Sequence, residues 1–279
     1  MKGIFIILDG IGDLPHSQLG DKTPLEVANM PNLNFFAARG EMGYFYPVKP
    51  GYIPGSDEAI VSIFGNELIS STRGQLEAKG AGFKLTRGDL AWRANFSTID
   101  SLDKGNLLDR RCGRTLTTAE AEILTKAINK IEMPFKFEFK NTIQHRGALV
   151  FRGGFSDNIA SNDPHPYTGK FRKIKPLDDD ENSQYTANVM NEFLEKVFKV
   201  LDNHPINEER RRKGLMPANY LVVRGAGIEI PKLKIYKKWI SPSYMPLEIG
   251  FSELSGMKTV SFSYPKLKKL DVYENLHEG

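Results

Sequence analysis

The sequence predicts an α/β protein whose first domain is interrupted by an inserted α+β domain. Three observations carry that prediction. The chain of 279 residues opens on a continuous apolar run. Its middle alternates aromatic and charged residues between two amphipathic helices. Near residue 220 a short, continuous apolar run returns.

Gly3 to Leu8 (GIFIIL) is apolar at every side-chain position and rich in β-branched residues. Such a run reads as a strand buried on both faces of a parallel sheet, ending at Asp9-Gly10. Pro31 to Arg39 reads as a short helix, with proline at its first position and Gly40 past its end. Pro54-Gly55 marks a turn. Ser56, Asp57 and Glu58 then lead into apolar residues, which predicts a helix with Ser56 at its cap and acids in its first turn. From Leu76 to Thr98, glycines and polar residues break the apolar runs. Thr117 to Ile131 is an amphipathic helix that starts on a Thr117/Glu120 capping box. Phe135, Phe137 and Phe139 alternate with charged residues, as in a half-buried strand, and Leu149 to Phe151 forms a second strand. Ser156 to Asp180 reads as loop, and Ala187 to Leu201 as a strongly amphipathic helix. Tyr220 to Val223 reads as a buried strand that returns to the first domain. The expected division is a core domain over residues 1–75, an inserted domain over 76–216, and a return to the core over 217–279.

Composition excludes some classes. The chain is 40% hydrophobic and 26% charged, near the average for a globular protein. Its net charge of +4 suits anionic small molecules as well as nucleic acid. The basic residues are not interleaved with aromatics, so no nucleic-acid partner is expected. The apolar runs are too short to span a bilayer, so no membrane partner is expected. Cys112 is the single cysteine, and no intramolecular disulfide can form. With no leader pattern after Met1-Lys2-Gly3, the reading is a cytoplasmic protein.

Residue by residue, the chemistry is open. Asp9 ends the first strand, where α/β folds place ligands. It suits a divalent metal, but aspartate is also common in turns. Ser56 sits at a helix N-terminus, a place that binds phosphate. Serine is equally an ordinary cap there. Arg110, Arg111, Arg114, Arg146, Arg210 and Arg224 lie in polar, glycine-containing contexts that suit carboxylate and phosphate oxygens. They also suit a solvated surface, above all for Arg210 to Arg212. Asp163-Pro164-His165 offers a metal ligand, a general acid/base or a plain loop.

The ordered set of segments is more specific. ILDGIGD ending at Asp13, LGDKTPLEVANMPNL from Leu19, IPGSDEA from Ile53 and GDLAWRANF from Gly88 come first. DRRCGR from Asp109, HRGALV from His145, NDPHPYTGK from Asn162 and the stretch from His204 to Gly227 follow. Together they resemble the archaeal-type, 2,3-bisphosphoglycerate-independent phosphoglycerate mutases of the alkaline phosphatase superfamily. The resemblance implies a mostly parallel sheet with helices on both faces and an inserted α+β domain. It implies interconversion of 3-phosphoglycerate and 2-phosphoglycerate, a glycolytic isomerase step, through a phosphoserine on Ser56. Two divalent ions (manganese, magnesium or zinc) would be held in part by Asp9 and Ser56. Substrate would be held from among Arg111, Arg114, His145, Arg146, Asp163, His165, Arg210 and Arg224. Family members continue into Asp/His motifs that supply most metal ligands. No such DxxGH or DHxTP motif occurs here.

The expectation is therefore a mutase whose core lacks its C-terminal part, with little activity alone. Its expected partners are phosphoglycerate and either a separately encoded C-terminal half or a second copy joined through an exposed sheet edge. The competing readings are a non-catalytic phosphosugar-binding relative and another metal-dependent phosphotransferase or phosphohydrolase of the superfamily.

Overall fold

A computed structural model describes residues 2–68, 73–164 and 169–261. The chain divides into two compact units, residues 1–60 and 61–279.

The first unit holds short elements. A 3-10 turn, Ser17–Leu19, precedes helices α1 (Pro24–Val27) and α2 (Pro31–Ala37). Helix α1 is closed by a capping box in which Thr23 and Glu26 satisfy each other's backbone N–H. Helix α3 spans Ser56–Ile63. The run Gly3 to Leu8 is not a buried strand. It lies in no strand, and Ile4 and Ile6 are 90% and 70% exposed. The composition is that of a strand, but a strand needs neighbours to hydrogen-bond, and no described strand pairs with it.

The second unit is built on an antiparallel sheet. Its strands are β1 (Leu90–Ile99), β2 (Leu107–Asp109), β3 (Phe137–Asn141), β4 (Arg146–Phe151) and β5 (Tyr220–Gly227). The order is β2-β1-β4-β3, with β5 on the other edge of β1. β5 therefore joins the middle sheet and does not return to a first-domain sheet as the sequence suggested. An apolar run is compatible with either partner, and periodicity does not choose between them.

One face of this sheet carries the core. Trp92, Ala94, Phe96, Phe139, Leu149 and Phe151 pack against α5 (Thr118–Ile128) and α6 (Glu181–Asp202). Phe151 sits among Trp92, Phe135, Phe137, Phe155 and Phe193, mostly edge-to-face. Helix α5 starts on the Thr117/Glu120 capping box. Helix α6 begins earlier than its apolar stripe, because Asp180 caps the N–H of Asn182 and Glu181 sits in the first turn. The segment read as loop up to Asp180 is, among the described residues, non-helical as expected, and its last residue is the cap from which the helix starts at Glu181.

Helix α4 (Arg73–Gly80) lies on the opposite face of the sheet. Helix α7 (Pro205–Arg212) leads back to β5. Beyond it, β6 (Ile240–Ser243) and β7 (Lys258–Ser261) form a parallel pair joined through α8 (Pro246–Leu254). That pair is the parallel sheet among the described residues, and the whole is mixed α/β. No described helix is long and apolar enough to cross a membrane.

Candidate active site

In the first unit, Ser56 is the first residue of α3. Its hydroxyl donates to Asp9 Oδ2 at 2.9 Å, across 47 residues of sequence. The turn before it is held separately. Glu58 accepts the Gly55 N–H at 2.8 Å and the Tyr52 hydroxyl at 2.5 Å. The Ser56 side chain is therefore turned to a carboxylate and is not spent on capping. Asp9 and Ser56 offer two oxygen ligands to a cation. Among the described residues no group of three or more His, Cys, Asp or Glu gathers to complete a shell.

In the second unit, cations gather on the sheet face opposite the aromatic core. Arg93 stands directly across from Arg224 on β5, and Asn95 directly across from Arg146 on β4. Strand alternation puts Arg93, Asn95 and Ser97 on one side and Trp92, Ala94 and Phe96 on the other. Like charges opposed across a ladder are destabilising, so counter-charges are required. Glu77 on α4 supplies one, with Oε1 3.5 Å from Arg93 and 3.4 Å from Arg73. Asp163 supplies the other. Its carboxylate takes both Nε and Nη2 of Arg110 at 2.5 Å and lies 3.8 Å from Arg224 Nε.

The segment Ser161-Asn162-Asp163 is stitched along the free edge of β5. Asn162 accepts the Val223 N–H at 2.6 Å and donates to Leu221 O at 3.1 Å. Ser161 donates to Val223 O at 2.6 Å and accepts the Asp163 N–H at 3.0 Å. The carboxylate of Asp163 is thereby fixed beside Arg224.

His145 is buried at 2% exposure. Burial pushes its pKa down to about 3, and Arg146, Arg111, Arg93 and Arg114 push in the same direction. It is a neutral imidazole at pH 7. The same surroundings act on Arg93. Burial lowers its pKa to about 9, Glu77 opposes that, and Arg73, Arg224 and Arg146 reinforce it.

The loops that deliver these groups are strained. Cys112, Arg114 and Gln144 adopt left-handed backbone at φ 52°, 57° and 52°. With Gly113 at 64°, three consecutive left-handed residues shape the turn between Arg111 and Thr115. Strain of this kind persists where surrounding structure enforces it, and it clusters at functional sites. The buried Nε groups of Arg93 and Arg146 have no hydrogen-bond partner among the described residues. Donors left so are suited to an anionic ligand.

The fold thus gathers Arg146, Arg111, Arg93 and Arg114 around His145, with Arg224 across from Arg93 and Asp163 beside Arg224. His165 lies outside the described residues. Arg210 does not join them, and its expected ligand role is corrected. It is 1% exposed and its guanidinium is fully engaged elsewhere. Nε donates to Met216 O, Nη1 to Thr115 O and Glu120, and Nη2 to Thr115 Oγ1, at 2.8 to 3.1 Å. Helix α7 buries Asn207 and Arg210, three residues apart on one face, and leaves Arg211 and Arg212 outside. Sequence reasoning missed Arg93 and Arg73. The signal for Arg93 was a cation inside an otherwise strand-like LAWRANF.

The sequence profile of the 2,3-bisphosphoglycerate-independent phosphoglycerate mutases matches residues 37–207. A relative of that name from Thermococcus kodakarensis is 45% identical over 246 residues, which is 85% of this chain and 58% of the relative. Another from Pyrococcus furiosus is 44% identical over 251 residues, again 85% and 58%. The chain therefore spans 58% of the length of these curated relatives. Among solved structures, a cofactor-independent phosphoglycerate mutase from Thermoplasma acidophilum superposes with a TM-score of 0.55 at 35% identity, over 92% of this chain and 69% of that one.

Proposed function

Because the chain belongs to the 2,3-bisphosphoglycerate-independent phosphoglycerate mutase family, we propose that it carries the nucleophile and the anion-holding residues for interconverting 3-phosphoglycerate and 2-phosphoglycerate. The observation that carries this reading is the face on which Arg93, Arg146 and Arg224 meet a neutral His145 and a fixed Asp163. A phosphate and a carboxylate on one small molecule need several guanidinium forks, and a neutral imidazole among them repels neither.

In the reaction Ser56 Oγ attacks phosphorus, the Oγ–P bond forms, and the bond to the glycerate oxygen breaks. The serine proton leaves and the freed glycerate oxygen takes one up. The glycerate turns, its other hydroxyl attacks the phosphoserine, and the serine is regenerated. Asp9, 2.9 Å from Oγ, holds the serine hydroxyl in place. Divalent ions (manganese, magnesium or zinc) would lower the serine pKa and neutralise phosphoryl charge when bound. Asp9 and Ser56 are two of the ligands they need, and the described residues gather no fuller set. No step is therefore derived through a metal.

Residues 1–75 would serve phosphotransfer, and the segment from 76 to the end of β5 would hold substrate. By itself the chain is expected to turn over little. The exposed run Gly3 to Leu8 suits pairing with polypeptide equivalent to the remaining length of the relatives, or with a second copy.

Titrating the chain with 3-phosphoglycerate tests the binding face. Arg93→Ala and Arg224→Ala should each weaken binding about tenfold or more, as expected for a lost charge-assisted contact. Wild-type affinity in both variants sinks the assignment. For the nucleophile, labelled phosphoglycerate supplied with manganese to an enzyme reconstituted with polypeptide equivalent to the remaining length of the relatives should leave phosphate on the protein but not on Ser56→Ala. Label retained by the variant excludes Ser56.

A further inference from the structure

Helix α4 presents a carboxylate, Glu77, to the arginine face, and that carboxylate is 5% exposed. A single oxygen, Oε1, faces both Arg73 Nη2 at 3.4 Å and Arg93 Nη1 at 3.5 Å.

The helix that carries it is locked against backbone on two sides. A Cβ at Gly74 would lie 2.0 Å from Ala91 O on β1 and 2.5 Å from Gly225 O on β5. A Cβ at Gly80 would lie 1.7 Å from Pro246 O, and one at Gly250 2.0 Å from Leu76 O, so α4 and α8 also touch through backbone. Gln75 completes the fixing by donating to Asp89 O at 3.0 Å and Gly227 O at 2.6 Å, at the ends of β1 and β5. Glu77 thus stands on a helix keyed to the two strands that bear Arg93 and Arg224.

We propose that Glu77 is a positioning residue: its carboxylate aims Arg93 at the bound anion and keeps that guanidinium charged. This rests on the reading of the arginine face as the phosphoglycerate site. The charged and titratable groups around Arg93 are Arg73 and Glu77 from α4, Arg146 and His145 from β4 and the turn before it, and Arg224 from β5 beside Asp163. Every cation in that set favours loss of the Arg93 proton. Glu77 opposes it directly. The carboxylate also occupies one end of the guanidinium, which leaves the rest oriented for a ligand.

The test is nuclear magnetic resonance of the Arg93 side chain through a pH titration, run on the wild-type chain, Glu77→Gln and Glu77→Asp. Affinity for 3-phosphoglycerate is followed on the same samples. Wild type should lose the Arg93 proton near pH 9, the value to which its pKa is lowered. In Glu77→Gln that midpoint should fall by about one unit or more. The alkaline limb of phosphoglycerate binding should fall with it, about threefold weaker at pH 8.5 for a one-unit fall and approaching tenfold only at higher pH. Glu77→Asp keeps the charge and shortens its reach, so it should show the same change in smaller measure. It also supplies the measurement if Glu77→Gln does not fold. A carboxylate that merely braced α4 would lower the unfolding temperature and leave the Arg93 midpoint where it was, and that result overturns the proposal. If wild type binds no phosphoglycerate, the reading of the site fails, while the Arg93 midpoint still decides the role of Glu77.

Discussion

Replacing Arg210 by methionine separates a structural clamp from a ligand-binding arginine. The guanidinium is 1% exposed and satisfies the carbonyls of Met216 and Thr115, the Thr115 hydroxyl and Glu120. Methionine fills much of the volume and supplies no donor. Removing one partner of a buried ion pair costs about 3–5 kcal/mol. Glu120 moderates this, since its side chain is 26% exposed and keeps its bonds to Thr117 N and Oγ1 at 2.9 Å. The two carbonyls add to it, at about 1–3 kcal/mol for each buried acceptor left without a donor. The expected loss is therefore about 3–5 kcal/mol, with little change in affinity for phosphoglycerate. At about 2–4 °C per kcal/mol for a unit of this size, the melting temperature should drop by about 6–20 °C. Near-ultraviolet circular dichroism reports it, because Trp92 lies in the core beside Phe151. A loss below about 1 kcal/mol with affinity reduced about tenfold would mean that Arg210 faces ligand, and the clamp argument would fail.

Two further outcomes follow from the same geometry. His145 has a folded pKa of about 3, below the ordinary 6.5, so between those values the unfolded chain binds more protons and stability falls as pH falls. From pH 7 to pH 5 this group alone should remove about 2 kcal/mol, and Glu, Asp and other groups aside, His145→Gln should flatten urea midpoints over that range; an unchanged slope refutes it. Gly80→Ala places a Cβ 1.7 Å from Pro246 O, whereas Gly43→Ala meets nothing within 4 Å. Thermal melts should show about 1–3 kcal/mol or more lost in the first and within about 0.5 kcal/mol of wild type in the second, and equal melts would show that α4 and α8 are free to separate.

Much of the second unit was legible because its elements carry their own periodicity. The stripe of α6 and the capping box of α5 are local signals, and both elements formed where the pattern lies. Helix α4 and strand β1 escaped because tertiary needs overrode local ones. Gly74 and Gly80 look like breakers, yet they sit in the helix where backbones touch. Arg93, Asn95 and Ser97 look like interruptions of an apolar run, yet they form the polar side of a strand buried on both faces. The first strand failed for the converse reason: GIFIIL has the composition of a strand, and pairing is not encoded in composition. The approach of Asp9 to Ser56 spans a sequence gap that no periodicity reads, and only the ordered set of motifs suggested it. Arg210 was read with its neighbours as a charge run. The helical spacing of Ile206, Asn207 and Arg210 was the available sign that one of them points inward.

The pairing of β1 with β5 has a consequence for assembly during synthesis. Ile99 donates its N–H to Asn219 Oδ1, a partner 120 residues further along the chain. Contacts of such separation form late, since a long loop must close before they contribute. By the time α6 leaves the ribosome, β1, β3 and β4 can pair and bury their aromatic side against α5 and α6. The other edge of β1 stays open until β5 has been made. Arg224 arrives with that last strand, and the Ser161–Asp163 strip, made earlier, has no β5 to grip until then. A nascent chain halted before residue 220 would therefore have a folded aromatic layer and no working grip on an anion.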